Sequence, residues 1–257
     1  ELDTNIRNNK QSLQISLQKN DVLARRNFYK EVFQGTRYGV LPTEEIYDSI
    51  SRDVILALYR RQIQPSNCSL FVAGNVDGKI KNLISTFFGQ EWENKEELYK
   101  PASLAFGSYA TELYIEEKPD ALQSAVRLGG LTINRRDADF PALQFVNTLF
   151  GGFFGSRLMR NIREEKGYTY SIGSYIGNLR HTGFITIASE VGVDVTKQTL
   201  AEIQKEFEIL RQEKTSEDEI GLVRNYMQGM LLGSLESIFS HVDKFKAVYF
   251  SGLDTDY

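Results

Sequence analysis

Apolar residues recur along this chain with two different periods. Over 1–35, Leu13, Leu17, Ala24, Phe28 and Val32 fall at helical spacings with few breakers, which predicts one helix closed by Gly35. Arg37-Tyr38-Gly39 and Pro42 then form a loop. Thr43 and Ser51 stand as N-caps with an acid two residues on, predicting helices at 44–49 and 52–62. Gln64-Pro65-Ser66-Asn67 ends the second, and Cys68–Ala73 reads as a strand, with Cys68 a small core residue and Gly74-Asn75 its turn. Ile80, Leu83, Ile84, Phe87 and Phe88 form one apolar helical stripe closed by Gly89. Residues 90–109 lose all periodicity and read as an interdomain linker. Strands are expected at 113–117 and 125–133, then helices from Asp137 or Asp139 to Phe150 and over 156–166. Gly151-Gly152 interrupts that pair and Gly167 closes it. Tyr168–Tyr175 and Gly183–Val191 alternate as a hairpin, and Leu200, Ile203, Phe207 and Leu210 mark a helix over 195–213. A last helical stretch runs from 216 to 252.

A longer period overlies these. Shifted by 217, residues 1–40 fall on 218–257 and match at Arg7/Arg224, Asn8/Asn225, Gln11/Gln228, Phe28/Phe245, Phe33/Phe250 and Gly35/Gly252. Chance supplies about two or three identities in such a stretch, but these share one offset and both stretches are helical. They indicate a large duplicated unit, with the chain starting inside copy one and stopping inside copy two.

Composition narrows the chemistry. Of 257 residues, 25% are charged and 41% hydrophobic, which is globular usage. A net charge of −4 gives no reason to expect nucleic acid or an anionic membrane as partner. The single cysteine excludes an intrachain disulfide and a cysteine-based zinc site, and the two histidines, His181 and His241, lie sixty residues apart. His181 belongs to a solvated turn and His241 reads as a partly buried polar residue. The Glu-rich runs at 91–97 and 213–219 read as solvated faces. The lone cysteine suits cytoplasm or periplasm, and cytoplasm is the expectation.

Candidate chemistry concentrates in Leu149-Phe150-Gly151-Gly152-Phe153-Phe154-Gly155-Ser156-Arg157-Leu158 and the run through Arg163-Glu164-Glu165-Lys166-Gly167-Tyr168-Thr169-Tyr170. A glycine-rich turn feeds a helix start, yet no Gly-Lys-Ser/Thr follows, and the preceding element reads as helix. That excludes a phosphate loop and a dinucleotide fingerprint. The bland reading is a closely packed helix–turn–helix with Phe150, Phe153 and Phe154 in the core. Gly167 lets the chain turn back, so Arg163 and Tyr170 can face one point and hold a peptide carbonyl. Spacing alone favours the simpler outcome, in which Arg163 pairs with Glu164 or Glu165 and Tyr170 packs at a sheet edge.

The stretch from Leu149 to Tyr170 resembles the insulinase-type, or pitrilysin-like, M16 metallopeptidases, whose second domain carries a Gly-rich turn, Ser-Arg-Leu and an Arg-Glu-x-x-Gly-x-x-Tyr-like segment. Tyr38-Gly39, Thr43-Glu44-Glu45 and Val72-Ala73-Gly74-Asn75-Val76-Asp77 resemble the end of that family's first domain. The resemblance spans nearly the whole chain. It implies an α+β fold of two homologous units, each a mostly antiparallel sheet flanked by helices, with only the C-terminal half of the first unit present. The implied layout is 1–89 for that half, 90–109 for the linker and 110–257 for a second unit truncated at its end.

The resemblance also implies a role. Family members hold extended peptides between two halves, one bearing zinc in a His-x-x-Glu-His motif and the other supplying an Arg and a Tyr. Matched residue by residue, these are Arg163 and Tyr170, which reverses the preference drawn from spacing. The zinc motif is missing from these residues. The family's third ligand, a Glu, maps near Gln11, and no Glu occurs between residues 2 and 30. The chain therefore resembles the non-zinc partner type: no catalytic or metal residue of its own, no cofactor, substrate contacts from Arg163 and Tyr170, and zinc in a homologous partner subunit that cleaves unfolded peptides with it. Two alternatives stay open. One is a structural or assembly protein of the superfamily, the other a single-chain zinc peptidase whose metal motif lies upstream.

Overall fold

The computed structural model describes residues 1–89, 92–94, 96, 98, 104–107 and 113–254. It is α+β, and its described residues contain helices and one three-stranded antiparallel sheet. The expected linker at 90–109 lies largely outside the described residues. The chain divides into two interleaved units, one of 1–14, 42–104 and 232–257, the other of 15–41 and 105–231.

The second of these contains the sheet. Strands β1 (Gln123–Thr132), β2 (Ile172–Asn178) and β3 (Gly183–Gly192) pair in the order β1-β3-β2, with Leu128 opposite Ile187 and Ile176 opposite Ile185. Alternation sends successive side chains of the central strand to opposite faces. Phe184 meets helix α2 (Asn20–Val32) and its flank, where Phe28, Tyr29 and Phe33 pack ring against ring at centroid distances of 5.4–6.4 Å. Ile187, three positions on, packs on the other face against a buried cluster of Phe150, Leu158, Met159, Ile162, Ile172 and Ile203. Ile203 comes from helix α7 (Thr196–Gln212), which realises the stripe predicted over 195–213. Gly177 explains its own place in β2: a Cβ there would lie 1.9 Å from the Phe184 ring.

The other unit is helical. Helix α1 (Leu2–Ser16) contributes Lys10, whose ammonium donates to Asp48 at 2.7 Å, Asp48 being the last residue of α3 (Glu44–Asp48). Thr43 and Ser51 cap α3 and α4 (Arg52–Gln62) as the sequence predicts, each side-chain oxygen accepting from the backbone N–H three residues on. Helix α5 (Gly78–Phe88) opens on Asp77, which accepts from Ile80 N–H at 2.9 Å.

Several expectations are corrected. The helix expected over 1–35 breaks at 17–19 into α1 and α2, and the stretch over 216–252 breaks likewise into α8 (Glu217–Gly233) and α9 (Ile238–Ser251). Periodicity cannot see these breaks, because the apolar spacing continues across them. Cys68–Ala73 and 113–117 form no ladder among the described residues, and Cys68 is exposed rather than core. A strand needs a partner for its backbone groups, and these segments meet none among the described residues. His241 is exposed, not partly buried.

The two breaks coincide under the 217-residue shift. Helix α1 ends at Ser16 and α8 at Gly233; α2 starts at Asn20, and the matching Ser237 caps α9. Gly35 and Gly252 both take left-handed backbone, at φ 73° and 67°.

Phe184 is the ring on which four aromatic neighbours converge. Phe184→Ala is expected to cost about 3–5 kcal/mol, the range for emptying a buried aromatic site. Denaturant unfolding measures it, and a loss below about 1 kcal/mol would show that the cluster does not organise the sheet.

Candidate functional site

The glycine-rich stretch is built as two wide turns around a loop. Helix α6 (Phe140–Asn147) runs into a π-helical turn, Thr148–Gly152, and after Phe153–Gly155 a second π-helical segment spans Met159–Glu165. Ordinary helices were expected on both sides. The wider winding shows in the bond from Lys166 N–H to Asn161 O, five residues back, and from Tyr168 N–H to Ile162 O, six back. Gly167 ends the segment at φ 67°, a conformation a side chain would strain.

That turn returns the chain beside the helix. The Arg163 guanidinium donates from Nε to the Tyr170 backbone carbonyl at 2.9 Å and lies 4.6 Å above the Phe154 ring. Its contact with Glu164 is long, 3.9 Å, so the local pairing favoured by spacing is the minor interaction. Arg163 is thus brought to Tyr170, though to its main chain. The Tyr170 side chain is 90% exposed and Phe154 61% exposed. Phe150 is buried, Phe153 is half-buried and stacks on Tyr226 at 4.7 Å, and Phe154 is exposed, so core packing holds for Phe150 and not for Phe154. Thr169 fixes the loop from the far side: its hydroxyl donates to Glu190 O at 2.6 Å and accepts from Ser171 N–H at 3.2 Å.

Sequence reading missed the supports beneath this loop. Arg157 donates from Nε and Nη2 to both oxygens of Glu219, each at 2.7 Å, with side chains only 10% and 17% exposed. The hydrogen bond from Arg157 holds the Glu219 carboxyl below the usual carboxylate range, and Glu219 in turn raises the guanidinium. Glu219 is therefore no part of a solvated face. One helical turn on, Asn161 Nδ2 donates to Glu202 at 3.0 Å and Glu206 at 2.7 Å, both on α7. That bond, with Lys166 at 3.4 Å, lowers the Glu202 carboxyl. The pairs lie 62 and 41 residues apart, and no local pattern announces them.

Among the described residues, no three His, Cys, Asp or Glu side chains gather in a way that could hold a metal ion. Gln11 sits exposed on α1, and His181 and His241 are both exposed. These residues do not fit a zinc site.

Residues 49–227 match the family model described as the peptidase M16 inactive domain. The chain belongs to the peptidase M16 family. It is 26% identical over 210 residues to an uncharacterized zinc protease of Bacillus subtilis, YmxG, covering 80% of this chain and 49% of that protein. It is 25% identical over 198 residues to a probable inactive metalloprotease of the same organism, YmfF, covering 75% of this chain and 44% of that one. The crystal structure of a Pseudomonas fluorescens peptidase M16 inactive domain superposes with a TM-score of 0.83 at 20% identity, over 100% of this chain and 61% of that one, which bears on fold alone. This M16 chain thus spans about half the length of the curated relatives it matches. No helix among its described residues is long and apolar enough to cross a membrane.

The Arg157–Glu219 clip gives a pH-dependent expectation. A carboxyl whose folded pKa is depressed stabilises the fold above the ordinary carboxylate range, and that contribution disappears as pH falls through the lowered value. Glu219→Gln is expected to cost about 3 kcal/mol near pH 7, because it strands a buried guanidinium, and clearly less near pH 2. Urea unfolding across pH measures the difference, and a gap that does not shrink in acid contradicts the assignment.

Proposed function

We propose that this chain is the non-zinc, substrate-binding subunit of an M16 peptidase that cleaves unfolded peptides. The observation that carries the reading is the setting of Arg163. Its guanidinium is held between the Phe154 ring and the Tyr170 carbonyl, on a loop whose Tyr170 phenol is free to meet a ligand. With Nε engaged, the terminal nitrogens of Arg163 meet a peptide carbonyl, and the Tyr170 hydroxyl supplies a second donor beside them. The Arg163 donor is pre-positioned by these two contacts, so little ordering cost falls on its share of binding. The match to a family model described as inactive and the relative described as a probable inactive metalloprotease support the non-catalytic part of the reading.

The residues present do not fit zinc, so no chemical step is assigned to this chain. Its partner is a homologous zinc-bearing subunit, and alone it is expected to hydrolyse nothing. Residues 1–89 belong to the C-terminal half of a first unit and 110–257 to a second, joined by the linker at 90–109; the shared helix breaks at the 217-residue offset support this layout. The expected compartment is the cytoplasm. One observation favours a second reading: relatives described as zinc proteases are about twice as long as the part matched here. In that reading the zinc motif lies elsewhere in one longer chain, and sequencing the natural N-terminal region for His-x-x-Glu-His separates the two.

The test reconstitutes the natural chain with its zinc-bearing homologue and follows cleavage of an unstructured peptide. Arg163→Ala is expected to lower kcat/KM by about tenfold or more, the loss for a hydrogen bond to a charged group, and Tyr170→Phe by a smaller factor. Unchanged turnover in both variants would sink the assigned role.

A further inference from the structure

Arg163 lies inside a turn whose two ends are held by one carboxylate. Met159–Glu165 winds wide, and the bond that closes the wide turn runs from Lys166 N–H to Asn161 O at 3.0 Å. The side chains of the same two residues meet again on α7. Asn161 Nδ2 donates to Glu202 Oε2 at 3.0 Å, and the Lys166 ammonium lies 3.4 Å from Glu202 Oε1. Glu206 accepts from the same Asn161 nitrogen at 2.7 Å. In an ordinary α-helix, side chains five residues apart point about 140° apart around the axis, and one carboxylate is poorly placed to take both. A winding bonded from i to i+5 brings them to one side. Glu202 therefore favours the wide turn over the ordinary one.

Packing alone does not select asparagine at 161. The residue is 8% exposed, and its Oδ1 meets no donor among the described residues. A buried acceptor left unmet costs stability, so what the amide contributes is its nitrogen. What the wide turn contributes is the direction of Arg163, which sits between the two held ends. Its Nε reaches the Tyr170 carbonyl at 2.9 Å and its guanidinium covers the Phe154 ring. A side chain on a turn fixed at both ends does not swing away unless one end lets go. We propose that Glu202 is the positioning residue of Arg163: by holding Asn161 and Lys166 together it keeps the segment in its wide winding and so aims the guanidinium at Tyr170. Glu202 touches no substrate in this role. Its weight in catalysis rests on the peptidase reading, whereas the geometry it controls does not.

The measurement reads Arg163 itself. In the full-length natural chain carrying nitrogen-15 arginine, the Arg163 Nε–H signal is identified by its loss in Arg163→Lys. Its solvent exchange is followed beside that of Arg157 Nε–H, which is bonded to Glu219. In the wild-type chain Arg163 Nε–H is expected to exchange about tenfold or more slower than that of free arginine. Glu202→Leu is expected to remove most of this protection and to leave Arg157 protected. Glu202→Gln keeps an acceptor for Asn161 but loses the Lys166 ion pair, and is expected to fall between. If Glu202→Leu exposes both arginines, the fold is disturbed and Glu202→Gln decides. A wild-type Arg163 that exchanges like free arginine overturns the proposal. So does full protection of Arg163 in either variant, or a loss in Glu202→Gln that strikes both arginines equally. With the zinc-bearing homologue added, Glu202→Leu is expected to lower kcat/KM about as much as Arg163→Ala and to add little in the double variant. Two losses that simply add would overturn the positioning role. Lost protection with unchanged turnover would instead refute the peptidase reading and leave the positioning of the guanidinium standing.

Discussion

A strand that must bury both of its faces organises the sheet-bearing unit. Strand β3 sends Phe184 into the aromatic cluster of α2 and Ile187 into the aliphatic cluster under α7. Neither face can turn to water without losing a whole cluster, so the register of β3 with its neighbours is fixed. A one-residue slip would exchange the two faces and drive Phe184 into space shaped for aliphatic side chains. Gly177 belongs to the same constraint, since it leaves the room that the Phe184 ring occupies.

The candidate site inherits its rigidity from that strand. Thr169 bonds to the carbonyl of Glu190 on β3, and Ile162 and Met159 sit in the cluster that Ile187 joins. Arg157 and Asn161 then tie the same helix to α8 and α7 through carboxylates. These bonds are partly shielded from water, so they are stronger than surface pairs and costly to break. Exposed on this scaffold, among other groups, are the Phe154 ring and the Tyr170 phenol, with the half-buried Arg163 between them and the main chain. A polar group held by a stiff scaffold with an aromatic beside it is suited to binding an extended backbone.

The other unit shows the opposite economy. Its caps and helices are well made, yet α3, α4 and α5 bury no residue completely. Local propensity and capping can form such helices, but their apolar faces gain most of their stability from a packed neighbour. The repeat connects the two units. The phenylalanines at matching repeat positions pack on a strand aromatic, Phe184, in one and on Phe71 in the other.

Much was legible in the chain itself. Helices α3, α4, α5 and α7, the β2–β3 hairpin and the caps at Thr43 and Ser51 follow from spacing and short-range hydrogen bonding, which depend on neighbours a few residues away. The family followed from the run Leu149–Tyr170, because glycines, Ser-Arg-Leu, Arg163 and Tyr170 keep one order. The 217-residue repeat was readable as six identities, while the helix breaks that accompany it were not. Only the tertiary structure decided that Arg163 meets the main chain of Tyr170 rather than its local acids, that the flanking helices widen into π turns, that Glu219 is a half-buried partner of Arg157 rather than a solvated acid, and that Cys68–Ala73 joins no ladder among the described residues. Each of these depends on residues tens of positions away competing for the same group, and a one-dimensional pattern records which groups need partners but not which partner arrives.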